Sequence, residues 1–179
     1  VEIELSDTET IVSTTDLQGN ITYANTYFIA ISGYTEEELI GAPQNILRHP
    51  DMPVEAFADM WATIRSGRSW TCMVKNRCKN GDAYWVMANA TPVMENGKAV
   101  GYMSVRTKPT RAQITAAAEL YRNLKAGTAG NIRLQQGMVR ATGLRGWLAA
   151  ATHMTLRRRI ALNLTGQCAM LLLLMGFHL

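Results

Sequence analysis

The chain has 179 residues and a formal net charge of +4. This length allows one domain of about 100–150 residues plus an appendage, and an apolar content of 47% is enough to build a core. All fourteen acidic residues lie at or before Glu119, whereas the chain from Leu120 onward carries only basic charges. A basic second half indicates either a membrane surface or nucleic acid as a partner.

The end of the chain decides between these partners. Residues 160–179 are apolar over about the length that spans a bilayer, and three arginines at 157–159 precede them directly. Because basic residues mark the cytoplasmic side of a span, we expect a basic stop and the start of a transmembrane helix at 157–179. The residues before it would lie in the cytoplasm, at the inner membrane. A buried amphipathic helix is the alternative, and no aromatic residues interleave with the arginines as nucleic-acid binding would favour.

The cysteines indicate a reducing compartment. Cys72, Cys78 and Cys168 form neither a paired framework nor a C-x-x-C motif for redox or zinc chemistry. Reduced cytoplasmic thiols are therefore expected. The acidic N-terminus lacks the apolar core of a signal peptide, and the missing initiator Met suggests an excerpted chain.

Short strands and capped helices open the chain. Residues 10–14 and 21–23 are β-branched or aromatic runs separated by turn residues, which predicts a hairpin. Asn25 can cap a helix that ends at Gly33. A Thr and a Glu at the two ends of residues 35–38 have the spacing of a capping box, which predicts a second helix start.

The segment RHPDMP at residues 48–53 holds a guanidinium, an imidazole and a carboxylate within four positions. Pro53 suits the first turn of a helix, and Asp51 can cap its free amides. We expect that helix over residues 54–66, ended by Gly67. Apolar side chains recur on it at helical spacing: Val54, Phe57, Trp61 and Ile64. A basic rim beside a helix with an inward Trp suits the mouth of a site for a planar, anionic cofactor.

Three alternating strands follow, over residues 70–76, 84–91 and 99–107, joined by Asn-Gly turns that favour hairpins. Neither face of the middle strand is charged, so both are expected to be covered. Its face with small side chains is expected to line a cavity: Val86, Ala88 and Ala90. The first of these strands places four residues on one face: Trp70, Cys72, Val74 and Asn76.

This order of elements predicts an α+β fold, a five-stranded antiparallel sheet with short helices on one face. A helical linker is expected over residues 111–156, with an apolar stripe followed by repeated glycines. The stripe consists of Ile114, Ala117, Leu120 and Leu124.

The chain resembles the front half of a PAS domain at DLQGNITYAN and SGYTEEELIG, and the back half at KNGDAYWV and Gly101-Tyr102. RHPDMP and the later VKNR resemble, more narrowly, the PAS domain of bacterial aerotaxis receptors, which are methyl-accepting chemotaxis-type proteins. The resemblance covers residues 8–110, which we take as the sensor domain.

The resemblance implies FAD held non-covalently in the PAS cavity, with its redox state used as a signal. Arg48, His49 and Asp51 match the motif in which a basic pair and a neighbouring acid are associated with FAD binding. Each also has an ordinary interpretation: Arg48 could pair with a surface acid, His49 could cap a loop, and Asp51 could be only a helix cap.

Three further residues match positions near the flavin. Trp61 and Trp70 match family positions beside the cavity, although either could be simple core packing. Asn76 matches a strand asparagine that hydrogen-bonds the flavin ring edge, and a buried carboxamide needs such partners. Asn89 could do the same if the other strand face looked inward.

The resemblance implies further partners, and the chain departs from light-sensing PAS domains in one respect. Light-sensing PAS domains carry a cysteine facing the flavin, and residues 43–53 contain none, so photo-adduct chemistry is disfavoured. A homodimer is implied, as are a chemotaxis kinase and adaptor reached through a signalling region that this sequence lacks.

The leading interpretation is a redox or oxygen sensor for energy taxis. The alternatives are a cofactor-free PAS dimerisation module and a PAS domain sensing heme, with His49 as ligand, or another small molecule. An enzyme is the weakest interpretation, because the motifs supply no set of nucleophile, base and orienting partner.

Overall fold

A computed structural model describes residues 1–141. The transmembrane segment expected at 157–179 and the end of the linker expected up to residue 156 lie outside these residues. Within residues 1–141, no helix is both long and apolar enough to cross a membrane.

The described chain runs through three strands, a group of helices, three longer strands, one helix and a final hairpin. The strands are β1 (Glu2–Ile3), β2 (Ile11–Thr15), β3 (Ile21–Ala24), β4 (Trp70–Arg77), β5 (Ala83–Glu95), β6 (Lys98–Thr107), β7 (Ile132–Gln135) and β8 (Met138–Ala141). The helices are α1 (Thr26–Ser32), α2 (Glu36–Leu39), α3 (Val54–Arg65) and α4 (Arg111–Lys125), with a 3₁₀ turn at Gln44–Leu47.

The main sheet contains the five antiparallel strands that the sequence predicts. They lie in the order β3-β2-β6-β5-β4, and every pairing among them is antiparallel. The prediction of a five-stranded, wholly antiparallel sheet needs one correction. β1 pairs in parallel with the start of β5, Glu2 opposite Ala83, and makes the sheet six-stranded. A two-residue strand carries no alternating pattern, so the sequence could not reveal it.

The predicted caps of α1 and α2 and the predicted turn at Asn96-Gly97 are confirmed, whereas Asn80-Gly81 lies in a longer connection between β4 and β5. Asn25 Oδ1 accepts a hydrogen bond from the Phe28 N–H at 3.1 Å and caps α1. Thr35 and Glu38 form the capping box of α2. Asn96 adopts a left-handed backbone conformation in the turn between β5 and β6, as a two-residue Asn-Gly hairpin requires.

Two predictions about the start of α3 are wrong. Pro53, not Asp51, occupies the N-cap position, and no side chain caps the helix, because the Asp51 carboxylate is held by Lys75 instead. Val54 does not belong to the buried face, since it is 65% exposed at the first turn. The remaining apolar residues of α3 do face the sheet: Phe57, Trp61 and Ile64.

The two faces of the sheet have different cover. The helices that precede β4, including α3, pack on the inner face, whereas α4 packs on the outer face. There Tyr121 stacks on Trp85 with ring centroids 6.2 Å apart. The Tyr121 hydroxyl also donates a hydrogen bond to the Met73 carbonyl of β4. Both faces of the middle strand are therefore covered, as predicted, and the apolar stripe of α4 packs on the core.

Candidate functional site

A cavity of about 340 Å³ lies between the inner face of the sheet and α3. This volume is at the lower end of the range for ligand pockets, about 300–1,000 Å³. The face of β5 with small side chains lines it through Ala88 and Ala90, as predicted. Large apolar residues form the other walls: Phe57, Met60, Trp61, Trp70 and Val74.

Two amide side chains in this cavity have buried atoms without a hydrogen-bond partner. They are Asn76 Nδ2, on β4, and Gln44 Oε1, on the 3₁₀ turn. Asn76 is 6% exposed, so water does not replace the missing partner freely. A buried polar group left unpaired costs roughly 1–3 kcal/mol. A ligand that supplies an acceptor to Asn76 Nδ2 and a donor to Gln44 Oε1 would remove this cost.

Arg106, on β6, places a buried positive charge in the same cavity. Its side chain is 6% exposed, and its Nη1 donates to Ser13 Oγ at 3.1 Å. Its guanidinium carbon lies 5.3 Å from the centre of the Phe28 ring. Burial lowers the pKa of Arg106, and the nearby Tyr84 hydroxyl opposes that shift. No acidic side chain within residues 1–141 forms a salt bridge with it.

The sequence did not reveal Arg106 as a residue of this cavity. It lies on the strand face shared with Tyr102 and Ser104, which looks mixed rather than apolar, and a charged residue on such a face ordinarily meets solvent. Its burial follows only from the tertiary fold. One signal was available. Side chains on a strand point alternately to its two faces, so Arg106 lies on the same face of β6 as the buried Tyr102.

The two predicted tryptophans both line the cavity. Trp61 meets Tyr102 edge-to-face, with ring centroids 5.6 Å apart. Trp70 is 1% exposed, and its indole Nε1 donates to Asp59 Oδ2 at 2.9 Å. Each ring is thus held by a contact of its own as well as by packing.

Arginines form the rim of the cavity. The guanidinium of Arg48 lies 4.4 Å from the centre of the Phe57 ring, and that of Arg65 lies 4.9 Å from the Trp61 ring. Both residues line the cavity. The backbone of Arg48 also bridges to Asn76, so the loop before α3 is tied to the strand that carries the amide.

His49 and Asp51 lie outside the cavity lining and brace this loop. The His49 Nδ1 accepts the Asp51 N–H at 3.1 Å, and Asp51 Oδ2 pairs with Lys75 Nζ at 2.6 Å. Burial, followed by the positive charge of Lys75, lowers the pKa of His49, while Asp51 opposes this effect. The hydrogen bond from Lys75 lowers the pKa of Asp51. A role in cofactor binding for these two residues stays a prediction.

Asn89 and two cysteines lie away from the cavity. Asn89 is exposed and donates to Thr71 Oγ1 at 2.7 Å, so its strand face does not look inward, which was the condition for it to take the place of Asn76. Neither Cys72 nor Cys78 lines the cavity, and burial raises the pKa of both thiols.

A second hollow, of about 830 Å³, lies outside the sheet between β4, α4 and the β7–β8 hairpin. Its walls are largely apolar, among them Met73, Leu120 and Leu134. None of the unpartnered buried side-chain atoms of the described residues belongs to its lining. The inner cavity is therefore the better candidate for a ligand site.

Comparisons with known proteins agree with this architecture. A family model described as a PAS fold matches residues 21–106. The chain is 50% identical over 155 residues to the aerotaxis receptor of Escherichia coli K12, covering 87% of this chain and 30% of that protein. It is 30% identical over 96 residues to a nitrogen fixation regulatory protein of Klebsiella pneumoniae, covering 53% of this chain and 19% of that protein.

A solved light-oxygen-voltage domain, studied with a flavin analogue, has a similar fold. Its TM-score is 0.57 at 21% identity, over 65% of this chain and 89% of that one. At this identity the likeness concerns the fold alone. The chain spans less than a third of the length of the two curated relatives.

Proposed function

Because this chain belongs to the aerotaxis receptor family and carries its PAS domain, a sensor module of signal transduction, we propose that the cavity binds FAD. The redox state of the bound flavin would be the signal. The observation that carries this proposal is the pair of unpartnered amides, Asn76 and Gln44, in an apolar cavity that also contains the buried charge of Arg106.

The residues present fit a flavin. The edge of its pyrimidine ring offers both hydrogen-bond donors and acceptors, which matches a free N–H of Asn76 and a free carbonyl oxygen of Gln44. The flat apolar walls around Trp61 and Trp70 suit the ring system. The tryptophans would also exclude water from it.

A bound flavin supplies a ring that takes up electrons and changes its charge and nitrogen protonation. Arg106 would stabilise added negative charge on the ring, because a buried guanidinium without a carboxylate partner gains most from an anion. Asn76 lies on β4, the same strand as Trp70, and would hydrogen-bond the ring edge from there. These side chains would therefore respond directly to a change in ring charge.

The pyrophosphate would lie at the rim. A cavity of about 340 Å³ suits the ring better than the whole dinucleotide, so the remainder would extend toward the mouth. Arg48 and Arg65 line that mouth, and guanidinium groups match phosphate geometry. His49, Asp51 and Lys75 would act by fixing the loop that carries Arg48.

The wider role of the protein is part of the same proposal. We infer a receptor at the inner membrane with a cytoplasmic PAS domain, acting as a homodimer on a chemotaxis kinase and adaptor. Its support is the 50% identity to a protein named aerotaxis receptor and the basic, apolar end of the sequence.

The ultraviolet–visible spectrum of the purified chain, before and after dithionite, tests the proposal. We expect flavin absorbance that bleaches on reduction and yields FAD on release. A colourless protein after gentle isolation would contradict it and favour the cofactor-free module. A heme spectrum would favour the other alternative, although His49, its expected ligand, does not line the cavity.

A further inference from the structure

Asp59 of α3 joins the cavity to the β7–β8 hairpin. Its Oδ2 accepts the indole N–H of Trp70 at 2.9 Å and the backbone N–H of Gly137 at 2.7 Å. Its Oδ1 accepts the N–H of Gln136 at 2.7 Å. One carboxylate thus receives a donor from a cavity wall and two donors from the turn between β7 and β8.

The turn is shaped for this contact. Gln136 and Gly137 both have positive φ, 56° and 77°, which directs their two successive N–H groups toward Asp59. A Cβ on Gly137 would lie 1.8 Å from the carbonyl oxygen of Thr71. The turn therefore packs against the backbone of β4 next to Trp70, and only glycine permits the approach.

Apart from its turn, the hairpin contacts the core through Leu134 of β7. β7 and β8 form a two-stranded sheet separate from the main one, and Met138 and Val139 are each about half exposed. A two-stranded hairpin by itself is marginally stable in water. Its position therefore depends strongly on the hydrogen bonds of its turn.

We propose that Asp59 is a positioning residue that couples the cavity to this hairpin, so that movement of Trp70 changes the stability of the turn. Because Trp70 and Gly137 share one carboxylate oxygen, a ligand state that tilts the indole alters the acceptor available to the turn. The hairpin is then the element that transmits a change in the cavity to the chain after α4. The linkage stands without a cofactor, whereas its use as a redox output rests on the proposed function.

Amide hydrogen exchange at Gln136 and Gly137, measured on the purified full chain, tests this linkage. Asp59→Asn removes the second acceptor, and we expect exchange at these amides to accelerate about tenfold or more, as loss of a charge-assisted hydrogen bond implies. Trp70→Phe removes the indole N–H together with part of the ring, and we expect a change of roughly threefold or more at the same amides. Unaltered exchange in either variant would overturn the proposal.

Trp61→Phe is the matched control, since Trp61 lines the same cavity but lies on the Tyr102 side, away from Asp59. Glu55→Gln is the matched control for charge on α3. Both should leave the two amides within about twofold of the wild type, and an equal effect of Trp61→Phe would show a general loosening that contradicts the linkage.

Comparing oxidised with dithionite-reduced protein tests the redox use separately. We expect hairpin exchange to differ between the two states in the wild type and to lose that difference in Asp59→Asn, a variant outside the cavity lining, with the flavin content of both proteins matched by absorbance. A response that survives in Asp59→Asn overturns the relay through Asp59 and leaves the proposed flavin binding untouched. Absence of flavin absorbance contradicts the proposed function, and the variant comparison then still decides the linkage.

Discussion

Arg106 Nη1 donates a hydrogen bond to Ser13 Oγ over 3.1 Å, from strand β6 to the adjacent strand β2. This neutral hydroxyl is a weak partner for a guanidinium that is 6% exposed. Burial of a charge is unfavourable unless an opposite charge or several hydrogen bonds offset it. The domain therefore retains a cation at a place where it contributes little to folding, which is typical of a group kept for a ligand.

Arg106→Met should weaken FAD binding without lowering the stability of the folded domain. The variant keeps much of the side-chain volume and removes the charge, so FAD affinity should fall about 10–100-fold, the value of a charge-assisted hydrogen bond. The flavin-stripped domain should be as stable as the wild type or more so. Flavin titration and urea unfolding measure the two effects. Equal FAD affinity in Arg106→Met and in the exposed control Arg77→Met would contradict the assignment.

The contrast between Asn76 and Arg106 shows what the sequence could reveal about the site. Asn76 interrupts an apolar strand face, so its burial and polarity are visible in the alternation of Trp70, Val74 and Asn76. Arg106 follows polar and aromatic neighbours, and nothing local distinguishes it from a solvated arginine. Only the pairing of β6 with β2 places it under α1, against Phe28.

If the proposed flavin site is right, Asn76→Ala should lower FAD occupancy about 5–20-fold, because the ring edge would lose a buried hydrogen-bonding partner. Asn89→Ala is the matched control: it removes the same carboxamide from the neighbouring strand on the outer face, where Asn89 meets Thr71. Flavin-to-protein absorbance ratios after equilibrium dialysis measure both variants. If Asn89→Ala empties the cavity as fully as Asn76→Ala, the loss reflects general damage to the sheet.

Gly19→Ala should distort the cavity wall. Gly19 has a φ of +91°, and an added Cβ would lie 2.8 Å from Trp61 Cη2. Gly41 has a similar φ of +82° with no atom within 4 Å, so Gly41→Ala carries only the backbone strain of about 1 kcal/mol. We expect Gly19→Ala to lose more stability than Gly41→Ala and to bind less FAD, measured by urea unfolding and flavin titration. Equal losses of stability and FAD binding in the two variants would show that the Trp61 side chain moves aside without affecting the cavity.

The end of the domain was less predictable than its middle. The stripe of α4 is visible as Ile114, Ala117 and Leu120 at helical spacing, and the structure packs it on the outer face. The β7–β8 hairpin was not anticipated, because the glycines that follow α4 are equally typical of a linker. Its turn is specified by Asp59, far away in sequence, and such a long-range partner leaves no local pattern.

The loop that carries Arg48 should loosen at mildly acidic pH through His49. Its pKa in the folded protein is lowered from 6.5, chiefly by burial and then by Lys75. The unfolded chain therefore binds more protons near this pH, so stability rises with pH. The contribution is fully present above about pH 6.5 and is lost as pH falls toward the folded-state value. Melting temperatures between pH 7.5 and about 5 should fall by a few °C more in the wild type than in His49→Gln. The carboxylates with lowered pKa, such as Asp51, take up protons only at lower pH. They therefore do not contribute to the change that His49 produces between pH 7.5 and about 5. Parallel losses in the two proteins would show that His49 is not the titrating group.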